Sequence, residues 1–315
     1  MEIANNKVFD DYELVCKIYP TELCNYRCTY CYDPGRCGER LPLKHRLYNI
    51  KEKYKNALLK NTFLEKKCLN DLNTDKIIAS IQKLNKNAIL CFSGGEPFLF
   101  PKFIEKCKDL TKEFDIKVTT NLSHRNVYKF ADEIDPEKVY VIICSFHINQ
   151  VEKFNHVDDF IPKVKYFREK RFATSVVCVM HHPIFKKFLS YHKLFKSHDI
   201  DLLPVVFEGI YNSKTYPESY SKSEKELIIK YSKYESKHIQ YQNTYFGSNN
   251  FKGKECLAGK SFIAIYPDGN VYRCVDDKKY LGHLGKGNIK LFKKVKKCRM
   301  NKCGGPSWGY RLTTK

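Results

Sequence analysis

Cys24, Cys28 and Cys31 stand as Cys-x-x-x-Cys-x-x-Cys directly after a short apolar run, Leu14 to Tyr19. Soft thiolate sulfur suits iron, and a tight loop brings the side chains to one place, so the set can hold three irons of a cubane iron-sulfur cluster. The fourth iron is then open to a ligand that is not protein. That separates a catalytic cluster from an electron carrier with all its corners filled. Zinc is the competing reading: it wants four ligands, and Cys37 lies close enough in sequence to supply the fourth.

A second candidate follows the apolar run Asn87 to Phe92, which reads as a buried strand. It is Ser93-Gly94-Gly95-Glu96-Pro97. Successive glycines let the backbone turn sharply and approach a ligand without Cβ interference, and the following carboxylate can accept from an ammonium group. Alone, the motif also reads as an ordinary strand-to-helix turn. Together, Cys24-Asn25-Tyr26-Arg27-Cys28-Thr29-Tyr30-Cys31 and the Gly-Gly-Glu-Pro element resemble the radical S-adenosylmethionine superfamily. The resemblance implies that Tyr30 contacts the adenine of S-adenosylmethionine. It also implies that Gly94, Gly95 and Glu96 bind the cofactor's amino group, and that its methionine part chelates the open iron.

The carboxyl-terminal part carries a second cysteine set. Cys256 and Cys274 bracket Ile263 to Tyr272, two strands across a Pro267-Asp268-Gly269-Asn270 turn, and a hairpin returns its ends to one place. Cys298 and Cys303 bring the set to four thiols, which bind zinc as readily as an iron-sulfur cluster. The spacing from Cys256 through Gly269 to Cys274, with a later cysteine pair, resembles the twitch or SPASM extension of radical S-adenosylmethionine enzymes. That implies an auxiliary 4Fe-4S cluster on Cys256, Cys274, Cys298 and Cys303. The series is shorter than a full SPASM domain, and its last pair is more widely spaced than in some twitch domains.

These residues must be positioned by the segments between them, which alternate. Helices are expected over Thr74 to Lys86, Lys102 to Phe114, Asn126 to Ile134, Asp159 to Lys170 and Phe185 to Ser197. Strands are expected over Asn87 to Phe92, Ile116 to Asn121, Lys138 to Phe146, Ala173 to Met180 and Asp201 to Phe207. Alternation means parallel strands with crossover helices. With the strand before Cys24 this makes six strands, in agreement with the partial (β/α)6 TIM-like barrel that the resemblance implies.

Ligands in such a barrel collect at the carboxyl ends of strands. Asn121, Ser145, His147 and Glu208 sit there, and Asn121 and Ser145 are assigned to cofactor binding, Ser145 by resemblance. His147, His181 and His182 read equally as satisfied hydrogen-bonding groups and as proton shuttles. Arg40 to Leu72 reads as a lysine-rich helical stretch, and Tyr211 to Pro217 as a substrate-side loop or a turn-rich linker. Ser221 to Glu224 reads as a capping box opening a helix to about His238. The polar stretch Gln240 to Lys254 divides a core, 1–239, from a small hairpin and helix cluster-binding extension, 240–315.

No stretch approaches the apolar length of a membrane span and the amino terminus lacks an apolar signal segment, so the expected compartment is the cytoplasm. There, disulfides are disfavoured, and 14 cysteines point to metal. Fifty-six basic against 35 acidic residues give a formal charge of +21, which allows a nucleic-acid partner. The charge is dispersed, however, and no nucleic-acid module is recognisable. Only Lys286 to Lys302 is dense, and it reads as a solvated helical face. A basic rim also suits an acidic electron donor, a flavodoxin or ferredoxin.

The resemblance implies an enzyme that cleaves S-adenosylmethionine to a 5'-deoxyadenosyl radical and abstracts hydrogen from a substrate. Peptide or protein maturation ranks first, although no leader-recognition domain is evident before Cys24. An RNA-modifying or small-molecule-oxidising enzyme is the alternative, and a non-catalytic iron-sulfur or zinc protein is the third reading. No residue is assigned to the hydrogen abstraction itself.

Overall fold

The computed structural model describes residues 11–31, 73–232, 250–301 and 303. Six strands run parallel in the order of the chain: β1 (Leu14–Ile18), β2 (Ala88–Phe92), β3 (Asp115–Thr120), β4 (Val139–Ser145), β5 (Thr174–Met180) and β6 (Leu202–Val206). Between them lie α1 (Thr74–Gln82), α2 (Phe103–Leu110), α3 (Asn126–Glu133), α4 (Ile148–Lys153), α5 (Val157–Glu169) and α6 (Phe185–Lys196). The expected α/β architecture with six parallel strands is thus present, with most boundaries within a few residues of those read from the sequence. The sheet is open: its strand order ends at β6 on one side.

Physical patterning accounts for these elements. All five residues of β2 are buried, as befits a parallel strand covered on both faces. Strand β3 alternates half-buried with buried residues, and its buried Ile116 and Val118 pack in the same core as Phe103 of α2, Phe130 of α3 and Phe167 of α5. Helix α1 begins where the Asn73 side chain accepts from the Asp75 amide, and it turns Ile77 and Ile81 inward. Phe130 is fully buried, with Phe98, Phe103, Phe167 and Phe172 around it at ring centroid distances of 5.6 to 6.3 Å.

The other side of the sheet was not legible in the sequence. Strand β10 (Phe262–Ile265) pairs parallel with β1, Val15 opposite Phe262 and Ile18 opposite Ile265. Antiparallel β11 (Asn270–Tyr272) and β12 (Tyr280–His283) follow, so the expected hairpin extends the core sheet to nine strands. Gly269 takes φ +79° in the turn, and Asp268 accepts from the Asn270 amide. The small second core of Tyr12, Val15, Ile89, Cys91, Ala258 and Phe262 fills the strand face opposite the helices.

Three segments depart from expectation. Tyr211 to Pro217 is neither plain loop nor linker: β7 (Gly209–Tyr211) and β8 (Lys214–Tyr216) form a hairpin. Its turn residues Asn212 and Ser213 both take positive φ, 46° and 60°, a conformation usually signalled by glycine at the second place. Helix α4, six residues long, was missed because it is too short to show a period. The basic run from Lys286 is not a helical face: Lys286 closes a single 3-10 turn (Leu284–Lys286), and the rest of the described part is irregular apart from β13 (Lys296–Lys297), which pairs antiparallel with β9 (Glu255–Cys256). Cys37 and the Arg40 to Leu72 stretch lie outside the described residues. Helix α7 (Lys222–Tyr231) opens with the expected capping box of Ser221 and Glu224, and its expected continuation beyond residue 232 also lies outside them.

Among the described residues no helix is long and apolar enough to cross a membrane.

The carboxyl ends of β5 and β6 are tied by one hydroxyl. Tyr220 Oη donates to the Met180 carbonyl at 2.6 Å and accepts from the Phe207 amide at 2.9 Å, all of it buried. Removing it deletes both of these buried hydrogen bonds. Tyr220→Phe is therefore expected to lower unfolding stability by roughly 1–3 kcal/mol, read as a shifted denaturation midpoint with an unchanged slope.

Candidate functional site

The cysteine loop leaves the end of β1 and docks by its backbone onto the turn after β2. Ser93 N–H donates to the Ile18 carbonyl at 3.0 Å, Gly95 N–H to the Thr21 carbonyl at 3.0 Å, and Glu96 N–H to the Leu23 carbonyl at 2.7 Å. The glycines are required by this approach. Gly94 takes φ +116°, and a Cβ on Gly95 would stand 1.9 Å from the Leu23 carbonyl oxygen. The two motifs are therefore one structural unit.

Three more contacts shape the loop. The Gln150 side chain of α4 accepts from the Arg27 amide at 2.9 Å and donates to the Arg27 carbonyl at 3.3 Å, a two-way clamp at the middle of the cysteine loop. Tyr26 stacks on Phe154 and its hydroxyl reaches His156 Nδ1 at 2.9 Å. The Cys31 amide donates to the Cys28 carbonyl at 3.1 Å, closing the turn between the last two cysteines. Gln150, Tyr26 and His156 went unmarked in the sequence, because nothing in their spacing shows that α4 lies against the loop.

The thiols share one environment. Burial pushes the Cys28 thiol up to about 12, and the neighbouring Cys31 and Cys24 add to the shift, which places the three sulfurs within Coulombic reach. Asn121 Nδ2 points at Cys24 Sγ from 3.8 Å and donates to Asn25 Oδ1 at 3.1 Å. The turn carrying Asn121 is held from α5, where buried Lys163 donates to the Leu122 carbonyl at 2.9 Å. The donor set fits an iron-sulfur cluster: three half-buried thiols on one loop. Among the described residues no group of three or more Cys, His, Asp or Glu side chains is placed to hold a single metal ion. A cubane instead takes each thiolate on a different iron.

Glu96 is 1 % exposed, and its carboxylate faces the end of β3. It accepts from Thr120 Oγ1 at 2.7 Å, the Asn121 amide at 2.8 Å and the Phe98 amide at 3.3 Å. Burial raises its pKa to about 7 against the lowering effect of these donors. Tyr30 is buried between His147, His181 and Phe207, with its hydroxyl 2.8 Å from His147 Nδ1. Burial pushes His147 down to about 4, so at neutral pH the ring is uncharged, and its tautomer sets which partner donates in the hydrogen bond to Tyr30.

Gly94, Gly95, Glu96 and Asn121 thus lie against the cysteine loop, of which Tyr30 is itself a part. Ser145 lies at the end of β4, half-buried, two residues before His147. Glu208 lies between β6 and β7, and His182 is engaged by Glu224 at 2.9 Å.

The second cysteine set sits on the other side of β1. Cys256 opposes Lys296 in the β9–β13 pair, and Cys298 N–H donates to the Lys254 carbonyl at 2.8 Å, so these two cysteines are neighbours. Cys256 and Cys274 pack against the core of Val15, Ile89 and Cys91, and Cys303 lies within Coulombic reach of Lys17 on β1. Tyr19 stacks on Tyr266 at 5.0 Å, joining the root of the first loop to the hairpin that carries Cys274. A cavity of about 500 Å³ lies elsewhere, among Tyr128, Pro162, Tyr166 and Leu194, and none of the cysteines lines it.

No protein-family model and no curated protein matches the chain in sequence. Solved structures do match in fold. SuiB of Streptococcus suis bound to S-adenosylmethionine superposes with a TM-score of 0.51 at 14% identity, over 84% of this chain and 59% of SuiB. SuiB bound to its precursor peptide SuiA gives 0.55 at 15%, over 88% and 64%. Native anSMEcpe with bound AdoMet gives 0.55 at 18%, over 86% and 78%. At such identities the likeness is one of fold, and this chain spans less than two thirds of SuiB.

Glu96 gives the site a pH signature. A carboxyl whose pKa rises from 4.5 to about 7 on folding stabilises the fold fully below about pH 4.5 and withdraws that stability as pH rises through 7. The shift is worth about 3 kcal/mol. Unfolding of the metal-free protein should show this decline between pH 4.5 and 7, and Glu96→Gln should flatten it.

Proposed function

We propose that this chain is a radical S-adenosylmethionine enzyme acting on a peptide. One observation carries it: the backbone docking of the cysteine loop onto Gly95 and Glu96, which makes a three-thiol loop and a ligand-facing glycine turn into one site. The shared fold of two proteins solved with S-adenosylmethionine or AdoMet supports the cofactor. Both have also been solved with peptides, SuiB with its precursor and anSMEcpe with the Cp18Cys peptide, which supports a peptide over RNA or a small molecule.

In this proposal Cys24, Cys28 and Cys31 hold a 4Fe-4S cluster, and Tyr30, Gly94, Gly95, Glu96, Asn121 and Ser145 bind S-adenosylmethionine. Cys256, Cys274, Cys298 and Cys303 hold an auxiliary cluster in the extension, 240–315. A flavodoxin or ferredoxin supplies electrons. When bound, the cluster on Cys24, Cys28 and Cys31 would supply one electron to the sulfonium of S-adenosylmethionine, whose cleavage to methionine and a 5'-deoxyadenosyl radical would provide the abstractor of a substrate hydrogen atom.

The chain's own residues bind and orient. Gly94 and Gly95 bring backbone rather than side chain to the ligand. Gln150 fixes the path of the loop, and Asn121 directs an amide donor at Cys24, where a hydrogen bond to sulfur favours the thiolate. Tyr30 and neutral His147 form an uncharged, hydrogen-bonded wall beside the cysteine loop. The rigid scaffold holds the reacting atoms at fixed distances and keeps water out.

Anaerobic reconstitution with iron, sulfide, dithionite and S-adenosylmethionine tests this directly. The protein should bind about eight irons and release 5'-deoxyadenosine. Cys24→Ala, Cys28→Ala or Cys31→Ala should retain about four irons and no cleavage. A fully loaded wild type that yields none is a binding protein, not an enzyme. Gln150→Leu, which removes the clamp but leaves every ligand, should lower 5'-deoxyadenosine formation at least about tenfold, a loss of about 1.4 kcal/mol of transition-state stabilisation.

A further inference from the structure

Beside the second cysteine set lies a buried ion network that no motif announced. Arg273, 3 % exposed, uses three nitrogens on four partners. Nε donates to the Ala258 carbonyl at 3.1 Å, Nη1 to Asp277 Oδ2 at 2.8 Å, and Nη2 to the Lys296 and Lys297 carbonyls at 3.0 and 3.1 Å. Each partner sits within three residues of a cysteine in the chain: Ala258 lies two after Cys256, Asp277 three after Cys274, and Lys296 and Lys297 directly precede Cys298. Arg273 itself adjoins Cys274. One guanidinium therefore grips all three segments that carry these thiols.

Asp277 completes the network and is itself excluded as a metal ligand. Its oxygens accept from Arg273, from Arg299 Nε at 2.9 Å and Nη2, and from the Lys279 amide at 3.3 Å, which fills the four lone-pair positions of a carboxylate. Its own amide donates to Cys274 Sγ at 3.1 Å. A buried carboxylate this close to a thiol would repel the thiolate if it stood alone. The two guanidiniums outweigh the Asp277 carboxylate by one charge, and Asp276, a second carboxylate within Coulombic reach of Cys274, is countered by Lys17 of β1, so the groups around the sulfurs keep one positive charge in excess.

We infer that Arg273, clasped by Asp277 and Arg299, is the positioning residue that gathers Cys256, Cys274 and Cys298 into one site and supplies the positive field an anionic thiolate cluster needs. This rests on the proposal that these cysteines hold a cluster. The fork geometry is what does it: a lysine carries three donors on one nitrogen and cannot span four carbonyl and carboxylate partners on three segments. The positive field also favours the reduced, more negative state of a cluster, which raises its potential.

The test uses the anaerobically reconstituted full chain, with iron and sulfide counts, circular dichroism and an EPR-monitored redox titration. Arg273→Lys should fall from about eight to about four irons and lose the second EPR signal, keeping the first. Arg299→Gln, on an exposed side chain, should keep both clusters and shift the potential of the second to a lower value, a change that a purely structural role would not produce. Arg273→Lys with about eight irons and unaltered spectra overturns the inference, and so does an unmoved potential in Arg299→Gln. If Arg273→Lys fails to fold, Asp277→Asn takes its place with the same expected loss, and its retention of both clusters overturns the inference equally. Cys256→Ala with Cys274→Ala separates the two levels. Loss of about four irons there with intact Arg273→Lys sinks only the clasp, whereas no loss removes the cluster proposal and the inference with it.

Discussion

Two carbonyls decide how this molecule is organised. Thr21 and Leu23, immediately before the first cysteine, present their oxygens to the amides of Gly95 and Glu96, and the fit is so close that only glycine can stand opposite Leu23. Parallel neighbouring strands make this possible, since both β1 and β2 end on the same side of the sheet and release their loops beside one another. Everything at the site is hung from this junction: the thiols lie beyond it on one side, and the Glu96 carboxylate runs from it under the next strand to Thr120 and Asn121.

The second constraint acts at the opposite edge of β1. A parallel sheet leaves its first strand with a free edge, which must be covered or paired. Strand β10 pairs it, and the hairpin that follows carries a cysteine site against the face of the sheet that the helices do not cover. Tyr19 stacked on Tyr266 joins the two regions at the point where β1 gives way to the loop. Both cysteine sets are thus built on the two sides of a single five-residue strand.

How legible this was varied with the kind of signal. The six parallel strands and most of the helices between them could be read because their apolar residues repeat with a period and the elements are long enough to show it. The turn at Asn212 and Ser213 could not, since a non-glycine at positive φ carries no mark in sequence. The basic run from Lys286 was read as a helical face from its charge alone. Charge does not specify a backbone conformation, and the carbonyls of Lys296 and Lys297 are instead turned toward Arg273.

By itself the sequence determined the chemistry available: which atoms are sulfur, where glycine allows close approach, and that strands alternate with helices. These are properties of residue type and local spacing, and they survive without a fold. Only the tertiary structure decided which distant residues serve them. Gln150 reaches Arg27 across 123 positions and Asn121 reaches Cys24 across 97, while Arg273 gathers segments from both sides of itself. Such pairings depend on strand order and on how helices pack over it, and no local pattern encodes which side chain will arrive at a hydrogen-bonding partner a hundred residues away.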